Sequence, residues 1–123
     1  MTENNQEVWR WPNFTVEELG CRHCGTDGCS DEAKDLLQTL RDRVARPLRI
    51  NSAYRCSIHN LAVGGSKHSR HMYGDAFDIG TAGWTKSEVD LFILSAKHVG
   101  FTGFGRYQNF IHIDTGRPRE WRG

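Results

Sequence analysis

The stretch that decides the fold is residues 104–114, FGRYQNFIHID. Two short runs rich in aromatic and β-branched residues flank a two-residue Gln-Asn turn, a pattern typical of a β-hairpin. Along the second run, Ile111 and Ile113 lie on one side of the strand, so that His112 and Asp114 lie on the other. We predict a hairpin that buries its isoleucines and presents a histidine and an aspartate together, as an active site would.

Two amphipathic helices are predicted upstream of this hairpin, over residues 31–45 and 86–99. Their apolar residues recur at helical spacing, and each begins after a capping residue: Ser30 before the first, and Thr85 with Glu88 as a capping box for the second. The other predicted elements are strands at 48–51, 75–80, 104–107 and 110–114 and a short helical segment at 57–63. The fold class is therefore α+β, a small, mostly antiparallel sheet with flanking helices.

The 123 residues suit one domain. We divide them into an N-terminal arm, residues 1–13, whose Trp9 and Trp11 pack onto the body, and a domain of residues 14–123. The 16 Lys+Arg balance 15 Asp+Glu, which argues against nucleic acid as a partner. No apolar run approaches the roughly 20 residues that cross a bilayer, so we expect no membrane partner, and we expect a monomer.

The densest polar cluster is residues 66–78, SKHSRHMYGDAFD. His71 and Asp78 from this cluster, with His112 from the hairpin, provide three of the nitrogen and oxygen ligands that a catalytic zinc ion takes, with one position left for water. The alternative is that each of these side chains only makes hydrogen bonds within a loop. The spacing alone leaves both interpretations open.

Three stretches together resemble the zinc D-Ala-D-Ala carboxypeptidase family, within the Hedgehog/DD-peptidase superfamily. They are Ser52-Ala53-Tyr54-Arg55 with His59-Asn60 and Ala62-Val63-Gly64-Gly65; Ser69-x-His71-x-x-Gly74-x-Ala76-x-Asp78; and Gly103-Phe104-Gly105-Arg106-Tyr107 with Phe110-Ile111-His112-Ile113-Asp114-Thr115-Gly116-Arg117 and Trp121. They cover about residues 14–121 in order. The family contains carboxypeptidases, phage endolysins and murein endopeptidases.

The resemblance implies a Hedgehog/DD-peptidase-like fold and a zinc peptidase that hydrolyses stem or cross-link peptides of peptidoglycan, as a D-Ala-type carboxypeptidase or an endopeptidase. It implies that His71, Asp78 and His112 bind the catalytic zinc and that Arg55 binds a substrate carboxylate. Ser69, two residues before the first ligand, is expected to orient His71 and to lie at the substrate site.

The general base is where this sequence departs from the family. Related dipeptidases carry a carboxylate three residues before the last histidine ligand, and here that position is Asn109. Asp114 is our candidate for the base; orienting the imidazole of His112 or replacing it at the metal are the alternatives. His59 and His68 are lesser candidates for proton transfer.

The four cysteines form a second pattern. Cys21-x2-Cys24-x4-Cys29 and Cys56 provide four thiols, enough for a structural zinc site that would tie the N-terminal loop to the segment of Arg55. Free thiols or disulfides are the alternatives.

The first residues are polar and acidic and do not resemble a secretory signal. We therefore expect a protein made in the cytoplasm that reaches the cell wall after release, as a phage or prophage endolysin does.

Three other functions are weighed against this one. The first is a non-catalytic zinc domain with a Hedgehog-like fold that binds a ligand or protein. The second is a cysteine module that binds nucleic acid through Arg117, Arg119 and Arg122, and the third is a cysteine peptidase built on Cys56 and His59.

Overall fold

The computed structural model describes residues 9–123, which form four helices, a 3-10 turn and one five-stranded sheet. The helices are α1 (Val16–Leu19), α2 (Asp31–Val44), α3 (Ser57–Ala62) and α4 (Lys86–Val99), with a 3-10 turn at Arg70–Tyr73. The strands are β1 (Arg49–Ser52), β2 (Ala76–Gly80), β3 (Gly103–Arg106), β4 (Phe110–Asp114) and β5 (Arg119–Arg122).

The five strands form one sheet in the order β1-β2-β4-β3-β5. The β1–β2, β2–β4 and β4–β3 pairs are antiparallel, and the β3–β5 pair is parallel. The α+β class with a mostly antiparallel sheet is confirmed, and so is the 104–114 hairpin. The chain enters β5 through residues 115–118, which carry it back across the end of the sheet.

Helices α2 and α4 pack against each other and cover one face of the sheet. That face carries the buried apolar residues of alternate positions: Ile50, Phe77, Ile79, Phe104, Ile111 and Ile113. Leu37 and Leu40 from α2 and Phe92 and Ile93 from α4 complete the core. With its apolar residues on this side, the sheet presents its other, polar face to the functional site.

The two long helices begin where the sequence predicts them. Ser30 Oγ accepts a hydrogen bond from the N–H of Ala33, and Thr85 and Glu88 form the reciprocal capping box of α4. Three elements have no counterpart among the predictions: α1, which is a single turn, the 3-10 turn at Arg70–Tyr73, and β5, whose sequence REWR has neither β-branched residues nor a run of apolar ones.

Of the predicted N-terminal arm, residues 1–8 lie outside the described residues. Trp11 is buried in the core, and its indole N–H donates to Asp35 Oδ1 at 2.9 Å. Trp9 packs against Trp11 edge to face, with ring centroids 4.8 Å apart. The boundary at residue 13 stays a prediction. Within the described part of the chain, none of the helices combines the length and apolar composition needed to cross a bilayer.

Candidate active site

One row of residues crosses the polar face of the sheet from edge to edge. The pairing of the strands aligns Ser52 with Asp78, Asp78 with His112, His112 with Gly105 and Gly105 with Trp121. Directly paired residues lie on the same face, within contact distance of one another. The predicted ligands Asp78 and His112, 34 residues apart in sequence, therefore become neighbours through strand register alone.

His71 reaches this row from the 3-10 turn rather than from the sheet. The turn is capped by Ser69, whose Oγ accepts a hydrogen bond from the backbone N–H of His71 at 3.2 Å. The N–H of Arg55 donates to the carbonyl oxygen of His71 at 3.2 Å. The predicted role of Ser69 in orienting His71 therefore has a geometric basis, which acts through the backbone of the histidine.

Hydrogen bonds select the nitrogen that each histidine turns toward Asp78. His71 Nδ1 lies 2.6 Å from the carbonyl oxygen of Ala53, which can only accept, so Nδ1 carries the proton and Nε2 faces Asp78 Oδ1 at 3.1 Å. His112 Nε2 lies 2.6 Å from Asp114 Oδ2, and its Nδ1 faces Asp78 Oδ1 at 3.0 Å. Two imidazole nitrogens and a carboxylate oxygen thus point at one position, and each nitrogen offers a lone pair there when it carries no proton.

This donor set fits zinc. The three ligand atoms lie within 4.8 Å of one another, and the nitrogen–oxygen separations of 3.1 and 3.0 Å are close to the roughly 3.3 Å that neighbouring ligands of a tetrahedral zinc ion keep. His71, Asp78 and His112 are all buried, and the chain supplies three protein ligands, as in zinc sites that keep a position for water or substrate.

The charges at this position are set by the same contacts. Although burial opposes ionisation, the close imidazoles of His112 and His71 hold the pKa of Asp78 well below its usual range. Burial also opposes protonation of His112, but hydrogen bonds to Asp114 and Asp78 raise the pKa of its imidazole. The site therefore holds a permanent carboxylate charge that favours a cation, whether a proton or a metal ion.

Arg55 lies beside the three ligands, and each of its three guanidinium nitrogens already contacts a neighbouring side chain. Its Nη2 lies 3.4 Å from Asp78 Oδ2, its Nη1 donates to Asn60 Oδ1 at 3.1 Å, and its Nε donates to Ser52 Oγ at 3.2 Å. Only 15% of the side chain is exposed. The guanidinium is thereby held in one orientation at the wall of a cleft, as a binding site for a carboxylate requires.

Asp114, our candidate for the base, is fully buried and saturated with donors. Besides His112, its carboxylate accepts hydrogen bonds from Arg119 Nη1 and Nη2 at 2.9 and 2.8 Å and from the N–H of Gly116 at 2.9 Å. Burial opposes ionisation, yet the contacts with His112, Arg119 and Gly116 hold the pKa of Asp114 well below its ordinary value. A carboxylate held in this way orients an imidazole better than it accepts a proton.

A cleft of about 660 Å³ opens over the row. His71, Asp78 and His112 line it, together with Arg55 and Ser69. One wall is aromatic: the rings of Tyr107 and Phe110 stack at 4.4 Å, Trp121 Nε1 donates to Tyr107 Oη at 2.8 Å, and the Trp121 ring lies 5.2 Å from that of His112. A peptide-sized ligand fits this space.

The other candidates for proton transfer separate by position. His68 lines the cleft, whereas His59 does not. Asn109, at the position where relatives carry a carboxylate, is exposed in the hairpin turn and does not line the cleft either. Cys56 does not line the cleft either, and its contact with His59 joins its Sγ to the backbone N–H of the histidine. This contact does not place the imidazole of His59 against the thiol, so the geometry does not support the cysteine-peptidase alternative.

The nucleic-acid alternative required a basic stripe formed by Arg117, Arg119 and Arg122. Arg119 instead donates to the buried carboxylate of Asp114, which removes it from that stripe.

Sequence reasoning missed that β5, paired with β3, brings Arg119 and Trp121 to the site. Arg119 and Trp121 alternate toward the polar face, and the glycines opposite them leave room for their side chains. A Cβ on Gly103 would lie 2.2 Å from Asp114 Oδ1, and one on Gly105 would lie 2.5 Å from the Trp121 ring. Two patterns in the sequence could have indicated this arrangement. Gly103 and Gly105 are two residues apart, as are Arg119 and Trp121, and glycines inside a strand often mark a place where other groups approach closely.

The structure brings together three of the four cysteines predicted as a structural metal site. The sulfur atoms of Cys21, Cys24 and Cys56 lie within 4.8 Å of one another. Burial opposes ionisation of Cys21, but backbone N–H groups, first that of Cys56, lower the pKa of its thiol to about 7. Cys29 lies apart: its buried Sγ contacts the Leu19 carbonyl oxygen, and burial raises the pKa of its thiol to about 12. The structure therefore does not bring Cys29 to the other three thiols, because its side chain is buried in the hydrophobic core.

Comparison with known proteins matches most of the chain. The peptidase M15 family profile matches residues 12–114. The chain is 31% identical over 127 residues to the zinc D-Ala-D-Ala carboxypeptidase of Streptomyces albus G, covering 89% of this chain and 48% of that protein. It is 29% identical over 123 residues to the peptidoglycan L,D-endopeptidase MepK of Escherichia coli K12, covering 88% of this chain and 67% of the relative.

The chain thus spans about half the length of its Streptomyces relative and two thirds of the Escherichia one. The match includes four members of the row, Ser52, Asp78, Gly105 and His112, and the 3-10 turn that carries His71, whereas Trp121 lies beyond it. The resemblance drawn from the motifs is confirmed: the chain belongs to the peptidase M15 family.

Proposed function

We propose that this protein is a zinc-dependent peptidase that hydrolyses peptides of peptidoglycan. The observation that carries the proposal is the convergence of His71 Nε2, His112 Nδ1 and Asp78 Oδ1 in a cleft whose wall holds an ordered arginine. The names of the two relatives, a D-Ala-D-Ala carboxypeptidase and an L,D-endopeptidase, support a peptide substrate from the cell wall.

Each group near the ligands has a separate task in this proposal. Zinc in a three-ligand site supplies Lewis-acid activation of water and of a peptide carbonyl. Arg55 binds a carboxylate of the substrate and thereby sets which peptide bond lies over the ligands. Its contacts with Asn60 and Ser52 fix the guanidinium before substrate binds, so little conformational entropy is lost on binding.

The roles of Asp114 and His68 follow from what each contacts. Asp114 accepts the Nε2–H of His112 and so keeps Nδ1 free to act as a ligand, which makes Asp114 a positioning residue. Among the residues that line the cleft, leaving aside the three ligands, His68 is the one histidine, the side-chain type that enzymes use most often for proton transfer. We therefore assign the proton transfer to His68.

The choice between a carboxypeptidase and an endopeptidase, and the place of action, are further parts of the proposal. The cleft is open to solvent rather than enclosed, which favours an endopeptidase that cuts stem or cross-link peptides. Because peptidoglycan lies outside the membrane, we propose action after release from the cytoplasm, in the manner of a phage endolysin.

The test is digestion of purified peptidoglycan, with soluble fragments identified by mass spectrometry. We expect cleavage that a chelator abolishes and zinc restores, and that is lost in His71→Ala. Arg55→Lys, which keeps the charge but not the fork, should raise KM for a peptide with a free carboxylate at least tenfold. Cleavage that withstands the chelator would refute the zinc mechanism.

The assignment of His68 has its own matched pair of variants. His68→Ala should bind zinc like the wild type but lose about 10²–10⁴-fold in kcat, the usual contribution of a general base. His59→Ala, which removes a histidine outside the cleft, should retain kcat. Equal activity of both variants would move proton transfer to another group.

A second candidate function is a non-catalytic domain that binds cell-wall peptides. One observation favours it: Asp78 is the sole carboxylate among the residues lining the cleft, and it belongs to the ligand set. None of the lining residues therefore provides a carboxylate that could act as a general base. Zinc-loaded protein that sediments with peptidoglycan of several chemotypes but releases no fragments from them would support this candidate over the peptidase.

A further inference from the structure

A second cluster of metal-binding side chains lies outside the cleft. Cys21 and Cys24 belong to the loop that follows α1, and Cys56 immediately precedes α3. The three sulfur atoms lie within 4.8 Å of one another although 35 residues separate Cys21 from Cys56. Both segments are loops at this point, so neither a helix nor a strand ladder explains why these thiols converge.

The backbone around the cluster is arranged to support sulfur ligands. Cys21 Sγ accepts hydrogen bonds from the N–H groups of His23 and Cys56, each at 3.4 Å, and Cys56 Sγ accepts one from the N–H of His59 at 3.4 Å. The Cys21 carbonyl oxygen also accepts the N–H of Gly25 at 2.7 Å, which closes the loop into a tight turn. N–H groups directed at sulfur stabilise the thiolate form, which is the form that binds metals.

The cluster supplies three ligands. Within residues 9–123, no further histidine, cysteine, aspartate or glutamate brings a ligand atom within 4.8 Å of all three sulfur atoms. Cys24 is exposed, so solvent reaches the cluster and can supply a fourth ligand. A C-x2-C pair joined by a distant third thiolate suits a tetrahedral site for a soft divalent cation.

We propose that Cys21, Cys24 and Cys56 bind a second zinc ion, which links the loop after α1 to the segment that carries Arg55. Three thiols this close cannot all ionise without mutual repulsion, which a divalent cation bound between the three sulfur atoms removes. Cys56 follows Arg55, whose N–H donates to the His71 carbonyl oxygen. The second zinc ion therefore anchors the chain next to the cleft without contacting the substrate.

The experiment counts metal ions in the full chain and identifies their ligands. The protein is purified under reducing conditions, loaded with Zn²⁺ for elemental analysis and, separately, with Co²⁺ for absorption spectroscopy. The wild type should hold two zinc ions per chain, and its cobalt form should show thiolate-to-cobalt charge-transfer absorption. Cys24→Ser and Cys56→Ser should each hold one zinc ion and lose that absorption.

Two control variants make the result specific. Cys29→Ser removes a cysteine outside the cluster and should keep both zinc ions and the absorption. His112→Ala should lose the zinc ion of the cleft but keep the charge-transfer absorption, which separates this proposal from the peptidase proposal. Circular dichroism verifies that each variant is folded, and the exposed position of Cys24 makes its variant the safer one.

One zinc ion per chain in both the wild type and Cys24→Ser would overturn the proposal. So would charge-transfer absorption that persists in Cys24→Ser, or a disulfide between two of the three cysteines in the protein as purified under reducing conditions.

Discussion

Replacing Asp114 by asparagine distinguishes a positioning residue from a general base. The carboxylate is fully buried and accepts four hydrogen bonds, the shortest of them, at 2.6 Å, joining Oδ2 to His112 Nε2. An amide keeps the shape of the side chain but accepts fewer hydrogen bonds and carries no charge. Its NH₂ group can also face Nε2, which would favour the His112 tautomer with its proton on Nδ1, the nitrogen that faces Asp78.

The size of the effect follows from this contact. Removing a partner that orients a metal-binding histidine costs about 10- to 100-fold in metal affinity, or about 1.4 to 2.8 kcal/mol. Loss of the charge also weakens the ion pair with Arg119, whose side chain is 31% exposed, so the stability cost of that pair is moderated by solvent. We therefore expect weaker zinc binding in Asp114→Asn, with most of the turnover restored at saturating zinc.

Zinc affinity is measured by competition with a chromophoric chelator, in a Cys24→Ser background so that thiolates do not contribute, and turnover is measured on peptidoglycan at increasing zinc. Asp75→Asn is the matched control: this aspartate is also buried and paired with an arginine, Arg70, but it contacts neither histidine ligand. Unchanged zinc affinity together with lost turnover at saturating zinc would refute the positioning role and restore Asp114 as the base.

Three further predictions concern pH, packing and the core. Contacts with Asp114 and Asp78 raise the pKa of His112 above the ordinary histidine value of about 6.5, so a proton begins to compete with zinc for this side chain above that pH. Below the raised pKa, the zinc affinity measured by calorimetric titration should fall about tenfold per pH unit. A constant affinity between pH 8 and pH 6 would contradict this prediction. Gly105→Ala places a methyl group against Trp121 and should cost about 1–3 kcal/mol in urea unfolding, with reduced peptidase activity, so that an unchanged midpoint would count against the packing argument. Leu37→Ala empties a fully buried position and should lower the free energy of unfolding by about 2–5 kcal/mol, whereas Leu91→Ala, on an exposed part of α4, should change it by less than about 0.5 kcal/mol.

Local patterns in the sequence were sufficient for the elements that local interactions specify. The caps at Ser30 and Thr85 and the apolar periodicity defined α2 and α4, and the alternation of residues 110–114 divided Ile111 and Ile113 from His112 and Asp114. These signals are reliable because capping and side-chain alternation depend on residues a few positions apart.

Long-range packing decided the rest. The sequence of β5 carries no strand signal, and its parallel pairing with β3, which brings Arg119 to Asp114 and Trp121 to the cleft, follows from the path of residues 115–118 across the sheet. The direction in which a cysteine points likewise depends on the core around it. Cys29 is buried in that core and does not meet Cys21, Cys24 and Cys56, although its spacing suggested a four-cysteine site. Residue types and spacing name the candidate ligands of a site, whereas register, burial and the donors around each side chain determine which of them meet and what each can do.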